Sequence, residues 1–348
     1  MKTFPSHLLL AVTSCGLLAA CDPSTGGFDP QDATESAAAV LTAIQQSPAL
    51  QALSVMGSDI TVSASAPIVG AALPDANFVR GRLAAWAHAG TATLSLAPRA
   101  AAAPIFPADL LGKTLTYNLG QRRYELSSQT GAPSTGVRFI LYAVDPVMRR
   151  VVEPLNPVGH LDLTDKSTPA AAILGVTIVI NNTTLVDYDA AASFPTGSIT
   201  FSANGSISDG KTNVDFGLNQ RITDGPAITV DYLLTVPEND VSLNLNAQIS
   251  SSGSDVGLSV EHGNNMTVVH AVGDDSAITG TVSHNGVTVV NISGTPEKPV
   301  FTTTTGDPLP APQVETLKRL FDLADALFDA FDDLLGPAHR LLGFPLLS

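Results

Sequence analysis

Apolar and polar residues alternate along one short segment after another between about Ala170 and Thr302. Val241-Ser242-Leu243-Asn244-Leu245-Asn246-Ala247-Gln248-Ile249 is the cleanest of them, apolar at every odd position and polar at every even one. Successive side chains of a strand point to opposite faces, so this segment has one dry face and one wet face. Turn residues punctuate the series, among them Asn181-Asn182, Asp209-Gly210, Asn239-Asp240, Ser252-Gly253 and Asn285-Gly286. Asn-Gly and Asp-Gly suit a type I′ hairpin turn, which needs positive φ at both central residues. The spacing of about 10 to 15 residues is that of an up-and-down meander.

Upstream, Thr114–Tyr117, Arg123–Leu126, Val137–Val144, Val151-Val152 and His160–Leu163 also read as strands. Four prolines between positions 146 and 169 make the last of these edge or bent strands. Neighbouring strands rotate by roughly 20–25°, so a sheet this wide must curl, close into a barrel or split into two layers. Its apolar face also needs a cover.

The C-terminal stretch supplies one. Val314, Leu317, Phe321, Ala324, Phe328, Phe331 and Leu335 recur at steps of three and four, widened by Leu320, Leu327 and Leu334. Glu315, Asp322, Asp325, Asp329, Asp332 and Asp333 take the other side. This predicts an amphipathic helix of about six turns, beginning near Pro312 and ended by Gly336-Pro337. Its acidic polar face disfavours lying on a membrane surface, and its three heptads are short for a coiled coil, so packing on the protein's own sheet is expected.

The N-terminal third is less regular. Glu35 to Met56 reads as helix capped by Thr34 and interrupted by Pro48, giving two short helices or a kinked one. Residues 58–107 carry mixed signals. The fold class expected is mainly β: a large curled antiparallel meander, open or barrel-like, with N-terminal helices and a C-terminal helix on its apolar face. The divisions are a signal at 1–20, a flexible tether at 21–34, a helical or mixed segment at 35–107, the meander at 108–302, a Pro-rich linker at 303–312, and the helix and tail at 313–348.

The first residues give an address. Lys2 precedes a mostly apolar run from His7 to Leu18, too short to span a bilayer and read as a secretory signal. Leu18-Ala19-Ala20-Cys21 then resembles the lipobox of bacterial lipoproteins. The resemblance covers only the first 21 residues. It implies cleavage before Cys21, lipidation of that cysteine and anchorage to an envelope membrane, each buried CH₂ contributing about 0.8 kcal/mol. Val12-Thr13-Ser14-Cys15 is a looser alternative with a much shorter apolar core.

Composition narrows the function. The 348-residue chain has a formal net charge of −15, and no Lys/Arg cluster interleaved with aromatics stands out, so nucleic acid is an unfavourable partner. The same net charge weighs against attraction to anionic lipid headgroups. Both cysteines, Cys15 and Cys21, lie at the extreme N-terminus, which leaves the body without a disulfide framework or a cysteine-based zinc site.

Catalytic motifs are wanting. Gly112-Lys113-Thr114 has Pro107 where a phosphate loop needs its first glycine, and a strand follows instead of a helix. Asp274-Asp275 reads as a solvated turn sooner than a calcium site. His262, His270 and His284 share the apolar parity of their strands, but the turns place His270 toward the opposite end from the other two. Half-buried histidines are therefore expected, with no metal and no cofactor.

The expected function is a lipid-anchored exported envelope protein acting as a non-catalytic binding or scaffold component. Its partners would be the membrane, through the anchor, and a protein whose identity the sequence does not specify. One alternative is a carrier of lipid or another hydrophobic ligand, held at the helix–sheet interface by Phe321, Phe328 and Phe331. A second is a hydrolase with a triad assembled from scattered residues.

Overall fold

A computed structural model describes residues 30–60 and 104–342, except positions 146, 224–226, 251, 275 and 296–297 in turns and the side chains of Ser58, Asp325 and Phe328. Cys21, the signal segment and the tail after Leu342 lie outside the described residues. Helices α1 (Pro30–Gln46) and α2 (Pro48–Met56) are followed by β1 (Lys113–Asn118), β2 (Arg123–Leu126) and β3 (Gly136–Tyr142). A small hairpin, β4 (Val144–Asp145) and β5 (Arg150–Val151), leads to β6 (Pro157–Asp165), β7 (Ala172–Ile180) and β8 (Thr183–Ser193). The meander continues through β9 (Ser198–Ser208), β10 (Asn213–Thr223), β11 (Ala227–Val236), β12 (Val241–Ser250) and β13 (Gly253–His262). It closes with β14 (Asn265–Gly273), β15 (Ile278–His284), β16 (Val287–Thr295) and β17 (Lys298–Thr303), before helix α3 (Ala311–Leu342).

Fifteen strands form one open sheet in the order β17 to β6, then β3, β1 and β2. Every neighbouring pair is antiparallel except β1 with β3, which run parallel through Leu115 opposite Phe139. The meander expected from local alternation thus carries one departure. β2 turns back along the outer side of β1, and the following loop returns the chain to the same end, so β3 pairs with the other side of β1 in the same direction.

The sheet curls around its helices. Near its start α3 stacks Phe321 against Phe301 of β17, ring centroids 6.5 Å apart. At Leu334 its carbonyl accepts a hydrogen bond of 2.9 Å from the Tyr188 hydroxyl of β8. Those residues are about 20 Å apart along the helix, while β17 and β8 would be about 43 Å apart in a flat sheet. Only a strongly curved sheet brings both strands to one helix.

α1 and α3 lie side by side and parallel on the concave face. The Thr34 hydroxyl reaches the Thr316 carbonyl at 3.4 Å near their starts. At the other end, Arg340 donates to the Gly57 carbonyl that closes α2, where a cation complements the negative helix terminus. Odd residues Val241 to Ile249 of β12 are all buried beneath this layer, and the polar residues between them face outward.

Three local expectations are corrected. α1 begins at Pro30 rather than near Glu35, so it takes up part of the stretch read as tether, and Thr34 sits inside the helix. Its hydroxyl bonds back to the Pro30 carbonyl at 2.8 Å instead of capping. The chain does break at Pro48, giving two helices. α3 runs past Gly336-Pro337 to Leu342, because Ala338, Leu341 and Leu342 are buried and their packing outweighs the hydrogen bond Pro337 cannot donate. Of the turns, Asn285-Gly286 has φ of 50° and 80° as type I′ requires, whereas at Asp209-Gly210 only the glycine is positive. The Asp209 carboxylate instead accepts the Lys211 and Thr212 backbone N–H groups, building a longer loop.

Candidate functional site

The helix–sheet contact is the first candidate. Phe331, 1% exposed, packs edge-on to Phe216 of β10 at 5.3 Å and lies 5.8 Å from Tyr232 of β11. Tyr188 extends the cluster, 5.7 Å from Phe216. Burial pushes its hydroxyl pKa up, so the proton it gives to Leu334 stays in place. Farther along, His339 lies 4.2 Å from the Phe201 ring and is almost wholly buried; desolvation pulls its pKa down to about 3.

Among the residues expected to line a ligand, Phe331 is in this cluster and Phe321 is half-buried near the far edge against Phe301. The Phe328 side chain lies outside the described residues. Sequence reasoning did not single out Tyr188, Phe201, Phe216, Tyr232 or His339. The four aromatic ones stand at inward positions of alternating strands, which is the signal that could have found them.

The space between these groups is small. A cavity of about 30 Å³, lined by Tyr232, Leu234, Leu243, Leu245, Leu327 and Phe331, separates β11–β13 from α3. Ligand pockets for drug-sized or acyl ligands run to roughly 300–1,000 Å³. Among the described side chains this gap is about a tenth of the lower bound of that range.

The convex face carries the polar chemistry. Arg138 of β3 and Asp162 of β6 sit opposite each other and form a two-pronged ion pair, both bonds 2.7 Å. His160 stands beside them, its pKa lowered by burial first and by the Arg138 charge second. Lys166 reaches Asp189 at 2.6 Å, and the rest of the face is mostly Ser, Thr, Asn and Gly.

The three histidines separate as follows. His262 and His284 are on the concave side at one end, bonded to Asp32 of α1 at 3.1 Å and to Thr267 at 3.2 Å. His270 lies opposite Gly257, on the convex side, with Asp255 at 2.8 Å. That corrects the shared parity read from sequence. β14 is apolar on both faces, with Val268 and Val272 outward and Val269 inward, so its pattern does not reveal its orientation.

An open cleft of about 410 Å³ near Asp255 is lined by Gln248, Ser250, Ser254, Asp274 and Thr279. One Asp274 oxygen is engaged by its own turn, accepting from Ser276 N, Ser276 Oγ and Ala277 N, which holds the carboxyl pKa down. Among the described residues no cluster of three His, Cys, Asp or Glu side chains could hold a metal ion. No helix among them is long and apolar enough to cross a membrane.

Neither the family models, the curated proteins nor the solved structures give a match to this chain.

Proposed function

We propose that this chain is an exported, lipid-anchored envelope protein that binds or scaffolds other envelope molecules without catalysing a reaction. The observation that carries the reading is the division of labour between the faces of the sheet. Among the described residues the concave face is covered by the protein's own helices, with a cavity of about 30 Å³ between α3 and β11–β13, which leaves the convex face and the turns for partners. The lipobox-like Leu18-Ala19-Ala20-Cys21 supports the anchor.

Two measurements test this. Mass spectrometry of the chain from its native membrane should find Cys21 as the N-terminal residue, heavier by an acylated glyceryl group; an unmodified chain beginning elsewhere removes the anchor. Native mass spectrometry should find the folded body free of lipid. A stoichiometric co-purifying lipid would favour the carrier instead, with the helix layer opening to admit it.

A further inference from the structure

The β4–β5 hairpin points two large apolar side chains into solvent. Val147 is 88% exposed and Met148 60%, in a chain whose apolar residues are otherwise mostly spent on the core. Its base is anchored, because Val144 and Val151 pack against the core. The tip is also fixed from within: an Asp145 carboxylate oxygen accepts the Val147 and Met148 backbone N–H groups at 3.0 and 2.9 Å. Arg149 follows with a positive φ of 47° and ties the hairpin to the Ser54 carbonyl of α2. On the described side of the tip, these bonds hold Val147 and Met148 with both apolar side chains in solvent.

Its surroundings concentrate the chain's few cations. Arg149 and the exposed Arg150 flank the tip, and the exposed Arg122 and Arg123 lie in the neighbouring β1–β2 turn at the same end of the sheet. Four of the chain's 17 Lys and Arg residues thus gather at one corner of a protein with net charge −15. Acidic groups at the corner offset them in number, among them Asp145, occupied with the turn, Glu125, paired with Arg123, Asp59, bonded to the Tyr117 hydroxyl, Asp333, which lies in the field of Arg149, and the exposed Glu153.

The position of the corner is informative too. The strand register puts the hairpin at the end of the sheet that holds the β7–β8, β9–β10 and β13–β14 turns. α1 starts at that same end, where Asp32 meets His262. Only residues 21–29 connect that start to Cys21, a reach of about 30 Å at most.

We propose that the Val147–Met148 tip and its arginines form a second membrane contact, inserting into a bilayer with anionic headgroups and turning this end of the sheet toward the anchor's membrane. This deepens the lipid-anchored reading and rests on it for the identity of the surface. Two side chains contribute too little to hold a free protein on a bilayer, but a tethered one is already at high local concentration and needs only orientation.

The test supplies the anchor chemically, so that it does not depend on lipidation in the cell. The mature chain is coupled through Cys21 to a maleimide-bearing lipid in vesicles containing brominated phosphatidylcholine, with and without about a third phosphatidylglycerol. Met148→Trp, and separately Val147→Trp, are made in a Trp86→Phe background, with Ser252→Trp at the opposite end of the sheet as reference. Tryptophan fluorescence at 147 and 148 should fall about two-fold against non-brominated vesicles while the reference is unchanged. Arg150→Glu should lessen the quenching, and so should omission of phosphatidylglycerol. Tip positions quenched no more than the reference, in chains with unchanged circular dichroism, overturn the proposal. Quenching indifferent to phosphatidylglycerol and to Arg150→Glu overturns its headgroup part. Failure of the anchor itself is read separately, from the mass of the native chain.

Discussion

His339 shows how far one buried side chain can set the response of the molecule to acid. Its imidazole is packed on Phe201, and burial lowers its pKa from 6.5 to about 3. Below pH 6.5 the unfolded chain binds the proton that the folded chain refuses, so folding stability falls as the pH drops from about 6.5 toward 3. The slope this residue contributes approaches about 1.4 kcal/mol per pH unit. Urea unfolding at pH 7, 5 and 4 should therefore show a steeper loss in the parent than in His339→Phe. Parallel profiles would show that this imidazole does not control the acid response. Phe331 tests packing in the same way. Phe331→Asp places a carboxylate among Phe216 and Tyr232 and should cost several kcal/mol or prevent folding. Phe331→Ala should cost about 3–5 kcal/mol in the same unfolding assay.

At the scale of elements, α3 survives a proline that should end it. Pro337 offers no N–H to the Asp333 carbonyl, and its ring crowds that same carbonyl. The Tyr188 hydroxyl ties the neighbouring Leu334 carbonyl to the sheet. Tyr188→Phe should cost about 1 kcal/mol in urea unfolding. An unchanged midpoint would show that this bond does not help hold α3 to the sheet. The alternation of β12, the break at Pro48 and the inward stripe of α3 were legible because each is a local pattern repeated several times. The helix end was not, because burial of Leu341 and Leu342 decides it, and the local Gly-Pro signal says the opposite. The side of β14 was hidden for a related reason, since both of its faces are apolar. The parallel pairing of β1 with β3 depends on which strand the chain returns to, which alternation does not encode. The candidate site was legible at Phe331, less so at the aromatic strand residues it meets.

For the molecule as a whole, an open sheet leaves two edges, and unpaired edges recruit strands from other chains. The β17 edge is dealt with internally. Thr303 N–H bonds to the Asp307 carbonyl at 2.8 Å, Leu309 N–H bonds to the Phe301 carbonyl at 3.3 Å, and Pro299 has no N–H to offer. The β2 edge is only four residues long. Pro299→Val combined with Leu309→Gly should lengthen the usable edge and raise self-association, visible as a concentration-dependent shift in sedimentation; an unchanged monomer would show that these residues do not guard it.

The placement of α3 has a consequence for the making of the protein. The helix that lines the trough follows all fifteen strands of the sheet in the chain. Until its residues emerge, the strands lack the lining that buries Tyr188, Phe216 and Tyr232, and a partial chain cannot complete its core. Completion of the core is thereby postponed until α3 has been made. A product that stops short of α3 should therefore be sticky and readily cleared by proteases.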